Sequence, residues 1–355
     1  MKILQIIPYF CFGGAETMCE NLCYALQNQG HDVLAVSLFD DRTPIAQRME
    51  AAGISIEYLD KKPGLDVSML PKLTKIMKRF GPDVVHTHLN VIKYAAAAAK
   101  LAGVKKCVHT VHSVADKEAE GTLQKILNKI YFTLGWSVPV ALSDEIQDTI
   151  ADFYGMDKAK IPVIRNGIDL SRCQPKETYS FGETVTILHV GRFDLPKNHA
   201  GLLKMFARLH AKYPNCHLQL VGDGDLRPEM EALAENLGIT PWVEFCGMQS
   251  DVHPYLHHAD IFILPSLYEG NPMTIIEAMG TALPILATDV GGIPDMLTNG
   301  ETALLAACEE DALLEACEAL LRDEELRRRL GQAAKQDSPR FSSGYMARRY
   351  CEHYQ

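Results

Sequence analysis

Short apolar runs alternate with longer amphipathic ones along most of the chain. KILQIIP (2–8), DVLAVSLF (32–39), ISIEYL (54–59), DVVHTH (83–88), KCVHTVHS (106–113), VPVAL (138–142) and IPVIRNG (161–167) have the length and β-branched content of strands. Between them, residues 15–29, 66–80, 91–102 and 144–154 carry helical spacing. Gly30, Gly81 and Gly103 stand where helix C-caps are expected. Strands separated by helices predict a parallel sheet covered on both faces.

The rhythm breaks at SRCQPKETYSFGET (171–184), a polar stretch with Pro and Gly that reads as a linker. It resumes with VTILHVGR, CHLQLVGDG, VEFCG, DIFILPS and PILATDVGG. The tail FSSGYMARRYCEHYQ is helical in pattern after Pro339, and its apolar and aromatic residues need a partner surface. The fold class predicted is α/β, two doubly wound Rossmann-like domains facing a central cleft. The boundaries are 1–169 and 170–339, and ligands are expected at the carboxyl ends of the strands.

A length of 355 residues suits two such domains, and 47% hydrophobic with 23% charged residues excludes a disordered chain. No apolar run approaches the 18 or more residues of a membrane span, and the N-terminal run is too short for a signal sequence. A cytoplasmic location follows as the expectation. The ten cysteines show no paired metal-type spacing and are expected to be free thiols. The net charge of −10 is uneven: residues 1–169 hold 19 basic and 19 acidic residues, leaving 16 and 26 beyond. That distribution argues against nucleic acid binding.

Five features carry candidate chemistry. Gly13-Gly14-Ala15-Glu16 follows the first strand and opens a helix, as in an anion-binding turn or an ordinary βα turn. His86, His88, His109 and His112 fall at the ends of two strands, which favours one site residue among them. Arg192 and Lys197 follow a strand and a glycine, and two cations there could hold a diphosphate and neutralise a leaving group. Glu269 and Glu277 in LPSLYEGNPMTIIEAMG flank a loop and a helix start, with Glu277 able to accept two hydrogen bonds from a diol. Paired carboxylates also suit a glycosidase, although no hydrolase needs an Arg-Lys clamp. Gly291-Gly292-Ile293-Pro294-Asp295 is a further glycine turn before a helix. Asp223-Gly224-Asp225 has the look of a metal motif, but its place in a strand-end turn favours a structural role.

In this order the segments GGAE, the TVH ending in His112, VIRNGID, GRFDLPK, VGDGD, VEFCG, EGNPMTIIEAMG and ATDVGGIPD resemble glycosyltransferase family 4, of the GT-B fold, over nearly the full length. The E-x7-E of Glu269 and Glu277, with the preceding Arg-x4-Lys, is the most specific part. The resemblance implies a retaining glycosyltransferase without a bound metal or other cofactor, using a UDP- or GDP-linked sugar as donor substrate. Arg192 and Lys197 would hold the diphosphate and Glu277 the ribose hydroxyls. Glu269 would contact the donor sugar, with Gly270, Asn271, Pro272, Met273 and Thr274 around it. His112 would sit by the donor sugar and Gly14 by the diphosphate. Gly13, Gly14, Glu16, His88 and His112 would form the acceptor side. Asn166 and Gly167 would lie in the hinge, and the last helix, about 340–355, would return to the first domain. Asn271 stands where the family often has Phe or Leu, and Asp295 where it often has Glu.

The implied function is transfer of a sugar to a glycan or lipid-linked acceptor in envelope or exopolysaccharide assembly. A GT-B nucleotide-sugar 2-epimerase or a non-catalytic sugar-nucleotide-binding relative would share the fold. A nicotinamide oxidoreductase lacks its G-x-G-x-x-G after the first strand. Basic residues on the first domain (Lys72, Lys75, Lys78, Arg79, then Lys125 and Lys129) suggest peripheral contact with an anionic membrane on the cytoplasmic face.

Overall fold

The structure, a computed structural model, describes residues 1–11, 13–119 and 121–355. The chain divides into two compact units, Met1–Ile168 with Phe341–Gln355, and Asp169–Arg340. The first contains a six-stranded sheet built from β1 (Lys2–Ile7), β2 (Asp32–Ser37), β3 (Ser55–Tyr58), β4 (Val84–His88), β5 (Lys106–Val111) and β6 (Val138–Ala141). The second contains β7 (Val185–Val190), β8 (Cys216–Val221), β9 (Val243–Gly247), β10 (Ile261–Leu264), β11 (Ile285–Thr288) and β12 (Leu304–Ala306).

The orders are β3-β2-β1-β4-β5-β6 and β12-β11-β10-β7-β8-β9. Neighbouring strands pair in parallel throughout both sheets. In each sheet the strand order reverses beside the first strand of the unit, which opens a crevice at its carboxyl end. Burial on both faces explains the unbroken apolar strands: Ile3, Leu4, Ile6 and Ile7 are all fully buried.

Two expectations are corrected. Residues 161–167 do not form a strand of the sheet. Val163 bridges Ala141, with Ala141 N donating to Pro162 O (2.9 Å) and Ile164 N to Ala141 O (2.9 Å). Pro162 has no N–H to extend the ladder, and the pairing stays a single bridge to the end of β6. The stretch 171–184 is not a loose linker. Cys173 and Tyr179 are buried, Tyr179 OH donates to Ala282 O (2.9 Å), and the Arg327 guanidinium donates twice to Tyr179 O. Two apolar anchors in a polar run are easily missed by composition.

In the first unit, helix Ser343–Tyr354 packs on helix Gly14–Asn28. Ile168 bridges Ser342, and a Cβ on Gly167 would lie 2.6 Å from Ser342 O, so the two backbones meet through glycine. The ten cysteines are free thiols. Among the described residues no helix is long and apolar enough to cross a membrane.

Candidate active site

In the second unit the strand-end loops interlock through backbone. A Cβ on Gly222 would come within 2.0 Å of Gly191 O, and one on Gly291 within 2.0 Å of Glu269 O. Gly291 has φ +57° and its neighbour Gly292 donates to Glu269 O (2.8 Å). These glycines therefore allow close approach of loops. The loop after β7 is tied to the loop after β10 by Leu267 N donating to Pro196 O (2.7 Å) and Asn198 Nδ2 to Pro265 O (3.1 Å). Asn198, at φ +54°, also caps helix His199–Lys212.

This zipper places Lys197 Nζ 2.5 Å from Glu269 Oε1, which also accepts from Ser266 Oγ at 2.6 Å. Glu269 is buried, so its charge is balanced by Lys197. Arg192 is exposed and makes no ion pair among the described residues. Glu269 leads through Gly270, Asn271 and Pro272 into helix Met273–Gly280, whose N-cap Pro272 makes no side-chain cap bond. Thr274 Oγ1, in the first turn, has no hydrogen-bond partner among the described residues.

Glu277 lies one turn further on. Burial pushes its carboxyl up to about 7, against the pull of Arg172 and with a push from Asp251. Its oxygens accept no hydrogen bond among the described residues, so its acceptor capacity is unspent. Asp223 Oδ1 accepts from Gly224 N (2.8 Å) and Oδ2 lies 3.4 Å from Arg227, which ties it into its own turn.

In the first unit β1, β4 and β5 are neighbours, and their ends carry a buried polar chain. Gln5 Oε1 accepts from His88 Nε2–H at 2.9 Å. His88 Nδ1 then accepts from His112 Nε2–H at 3.1 Å, which leaves Nδ1 as the remaining acceptor of His112. Burial lowers both histidines, His112 to about 4 despite Glu118 nearby, so both rings are neutral. Beneath them His86 joins Tyr354 OH and Thr110 Oγ1, each at 2.7 Å, and Thr110 joins Tyr350 OH at 2.7 Å. Glu118 Oε2 accepts from the backbone N–H groups of His112 and Ser113. His109 bonds Thr87 and pairs with Glu118 at 3.4 Å.

A cavity of about 210 Å³ opens over this chain, lined among others by Tyr9, Asn90, His112, Lys117 and Glu118. Gly13, Gly14 and Glu16 do not line it. They begin helix Gly14–Asn28, and a Cβ on Gly13 would lie 2.4 Å from the Glu16 carboxylate. His88, expected on the acceptor side, has no exposed surface and lies behind His112. The structure thus brings His88 to His112, and Lys197 to Glu269. Gln5, Glu118 and Ser266 escaped sequence reasoning, because nothing local marks a strand residue or a short helix as the partner of a distant side chain.

Residues 12–172 match the profile of the family described as Glycosyltransferase Family 4, and residues 174–337 that of Glycosyl transferases group 1. The chain is 28% identical over 286 residues to the N-acetyl-alpha-D-glucosaminyl L-malate synthase of Bacillus anthracis, covering 77% of this chain and 74% of that one. It is 29% identical over 259 residues to an Escherichia coli UDP-Gal:alpha-D-GlcNAc-diphosphoundecaprenol alpha-1,3-galactosyltransferase, covering 66% and 65%. HepE of Anabaena, solved with UDP and glucose, superposes with a TM-score of 0.85 at 19% identity over 99% of both chains. Two family profiles that together span nearly the whole sequence, on a GT-B fold, place this chain among the glycosyltransferases of family 4.

Proposed function

We propose that the protein transfers a sugar from a nucleoside diphosphate sugar to a glycan or lipid-linked acceptor, with retention of anomeric configuration and without a metal. The observation that carries this reading is the arrangement in the second unit: the Lys197–Glu269 pair, an uncommitted Arg192, and Glu277 with unspent acceptors. The diphosphate draws Arg192 and Lys197, which stabilise the charge that develops on the leaving oxygen. Drawing Lys197 away frees Glu269 to accept from hydroxyls of the donor sugar. Glu277 accepts from the ribose diol once ionised. In the first unit His112 offers Nδ1 to a sugar hydroxyl, held in that tautomer by His88 and Gln5.

Relatives that carry these names support the donor class. HepE is described in complex with UDP and with UDP-glucose, and the Escherichia coli relative by its UDP-galactose donor and diphosphoundecaprenol-linked acceptor. The setting that follows is envelope or exopolysaccharide assembly on the cytoplasmic face of an anionic membrane. The test is calorimetry with UDP and GDP, followed by mass spectrometry of products from a panel of donors and acceptors. Binding of one nucleotide, and a transfer product of retained configuration, are expected. Release of an epimerised donor without an acceptor would replace transfer by epimerisation.

A further inference from the structure

One face of the first sheet carries polar side chains where a buried parallel sheet ordinarily carries apolar ones. Parallel register sets Gln5 of β1 opposite His86 of β4, and His88 of β4 opposite Thr110 of β5. Side chains two apart on a strand share a face, so Gln5, His86, His88 and Thr110 stand together. All four are fully buried. Helix Ser343–Tyr354 covers them with Tyr350 and Tyr354, which its turn places on one side. Tyr350 is fully buried and Tyr354 is 4% exposed. Both hydroxyls reach the strand residues, Tyr354 at His86 Nδ1 and Tyr350 at Thr110 Oγ1, each at 2.7 Å. The ring centres of His86 and His88 are 4.3 Å apart.

Such a network has a direction. Burial holds His86, His88 and His112 neutral, so each ring has one donor and one acceptor. Gln5 presents an acceptor on one side of its amide and donors on the other. The proton pattern at His112 is therefore inherited from Gln5. With Oε1 towards His88, both histidines carry their proton on Nε2, and Nδ1 of His112 remains an acceptor. With the amide turned over, each assignment reverses and His112 presents an N–H at Nδ1. The Gln5–His88–His112 chain is satisfied either way, so a group outside it must choose. Gln5 Nε2 is buried and makes no hydrogen bond among the described residues. The Tyr354 hydroxyl stands close enough for Gln5 to pull its pKa down against the upward push of burial. A hydroxyl oxygen whose proton is committed elsewhere presents only lone pairs, and a buried amide dipole turns its N–H groups towards them.

We propose that Tyr354, on the last turn of the C-terminal helix, is a positioning residue for His112. Its hydroxyl donates to His86 Nδ1 and turns its lone pairs to Gln5, which fixes the direction of the Gln5–His88–His112 chain. His86 then donates from Nε2 to Thr110 Oγ1 at 2.7 Å, and Thr110 donates to Tyr350, so this branch also runs one way. Nδ1 of His112 is thereby held as an acceptor for a substrate hydroxyl. Tyr350 belongs to the same helix and buries the same group, but it meets Thr110 at the far end of the branch from Gln5. The proposal rests on the reading of His112 as a group that meets the donor sugar, and it extends the control of that group to a residue 242 positions away in sequence.

The experiment is nitrogen-15 spectroscopy of the full chain labelled at histidine, with no donor or acceptor added. In the wild type His88 and His112 are each expected with the proton on Nε2. Tyr354→Phe keeps the ring and removes the hydroxyl, and should bring the Nδ1–H form of His112 up to about half of the population. Gln5→Met should do the same, and combining the two should add nothing, because both act through one amide. Tyr350→Phe should lower the melting temperature about as much as Tyr354→Phe while leaving His112 as in the wild type. In a transfer assay Tyr354→Phe should reduce kcat about 3- to 10-fold, with nucleotide affinity in calorimetry unchanged. A His112 spectrum untouched by Tyr354→Phe would overturn the proposal. So would equal mixing in Tyr350→Phe, since the helix would then act by packing alone. A wild type without transfer activity would sink the reading of His112 at the donor sugar and leave the spectroscopic result standing.

Discussion

At the ends of β4 and β5 the first unit buries neutral histidines in a chain of hydrogen bonds, whereas at the ends of β7 and β10 the second buries an ion pair. The histidine chain runs Gln5–His88–His112, with burial holding the imidazoles uncharged. The ion pair is Lys197 with Glu269. A neutral network has a modest desolvation cost and fixes direction, since each ring has one donor and one acceptor. A buried ion pair is costly to desolvate and nearly balanced by its Coulomb attraction, so a competing anion can rearrange it. The first arrangement suits orientation of a hydroxyl. The second suits capture of a diphosphate.

The largest effect is expected from breaking the ion pair. Lys197→Met should lower kcat by about 10²- to 10³-fold in a transfer assay, as for loss of a group that stabilises developing charge. It also strands Glu269, so its melting temperature should fall, and adding Glu269→Gln should recover part of that loss. A double variant no more stable than Lys197→Met would show that the pair is not what Glu269 needs.

Glu277→Ala should weaken nucleotide binding by about 1.5–3 kcal/mol in calorimetry, the loss of a charged hydrogen-bond acceptor. Because its carboxyl titrates near 7, wild-type affinity should fall as pH drops below 7, and Glu277→Gln should flatten that dependence. Stability runs the other way. A carboxyl whose folded pKa is raised binds its proton more tightly when folded, so stability falls as pH rises from about 4.5 to about 7. Denaturant melts of the wild type against Glu277→Gln across that window test the sign, and parallel curves would refute it.

His88→Phe should act through His112 and reduce kcat by roughly 10-fold, while leaving nucleotide affinity unchanged. The diagnostic measurement is the nitrogen-15 spectrum of His112, whose proton should no longer be confined to Nε2. A spectrum identical to the wild type would reduce His88 to packing. The smallest effect is the last: EDTA should leave turnover intact, because in the proposed reaction Arg192 and Lys197 supply the positive charge. Loss of turnover restored by Mg²⁺ or Mn²⁺ would reassign that role to a metal.

Periodicity alone made most strands, the parallel α/β class and the break near residue 170 legible, because burial on both faces leaves an unbroken apolar run in the sequence. Lys197, Glu269 and Glu277 drew notice in the sequence because a charge is expensive to place near an interior. Pairings were not legible. Lys197 and Glu269 are joined across 72 positions by two loops tied to each other by Leu267 N–Pro196 O and Asn198 Nδ2–Pro265 O, and His88 and His112 by the register of neighbouring strands. Composition misread 171–184, where Tyr179 and Cys173 anchor a polar stretch. The orientation of helix Gly121–Thr133 was likewise decided only on folding. Its buried face mixes Gln124 and Asn128 with Tyr131 and Phe132, and Asn128 finds its partner in Tyr154, which only the fold supplies.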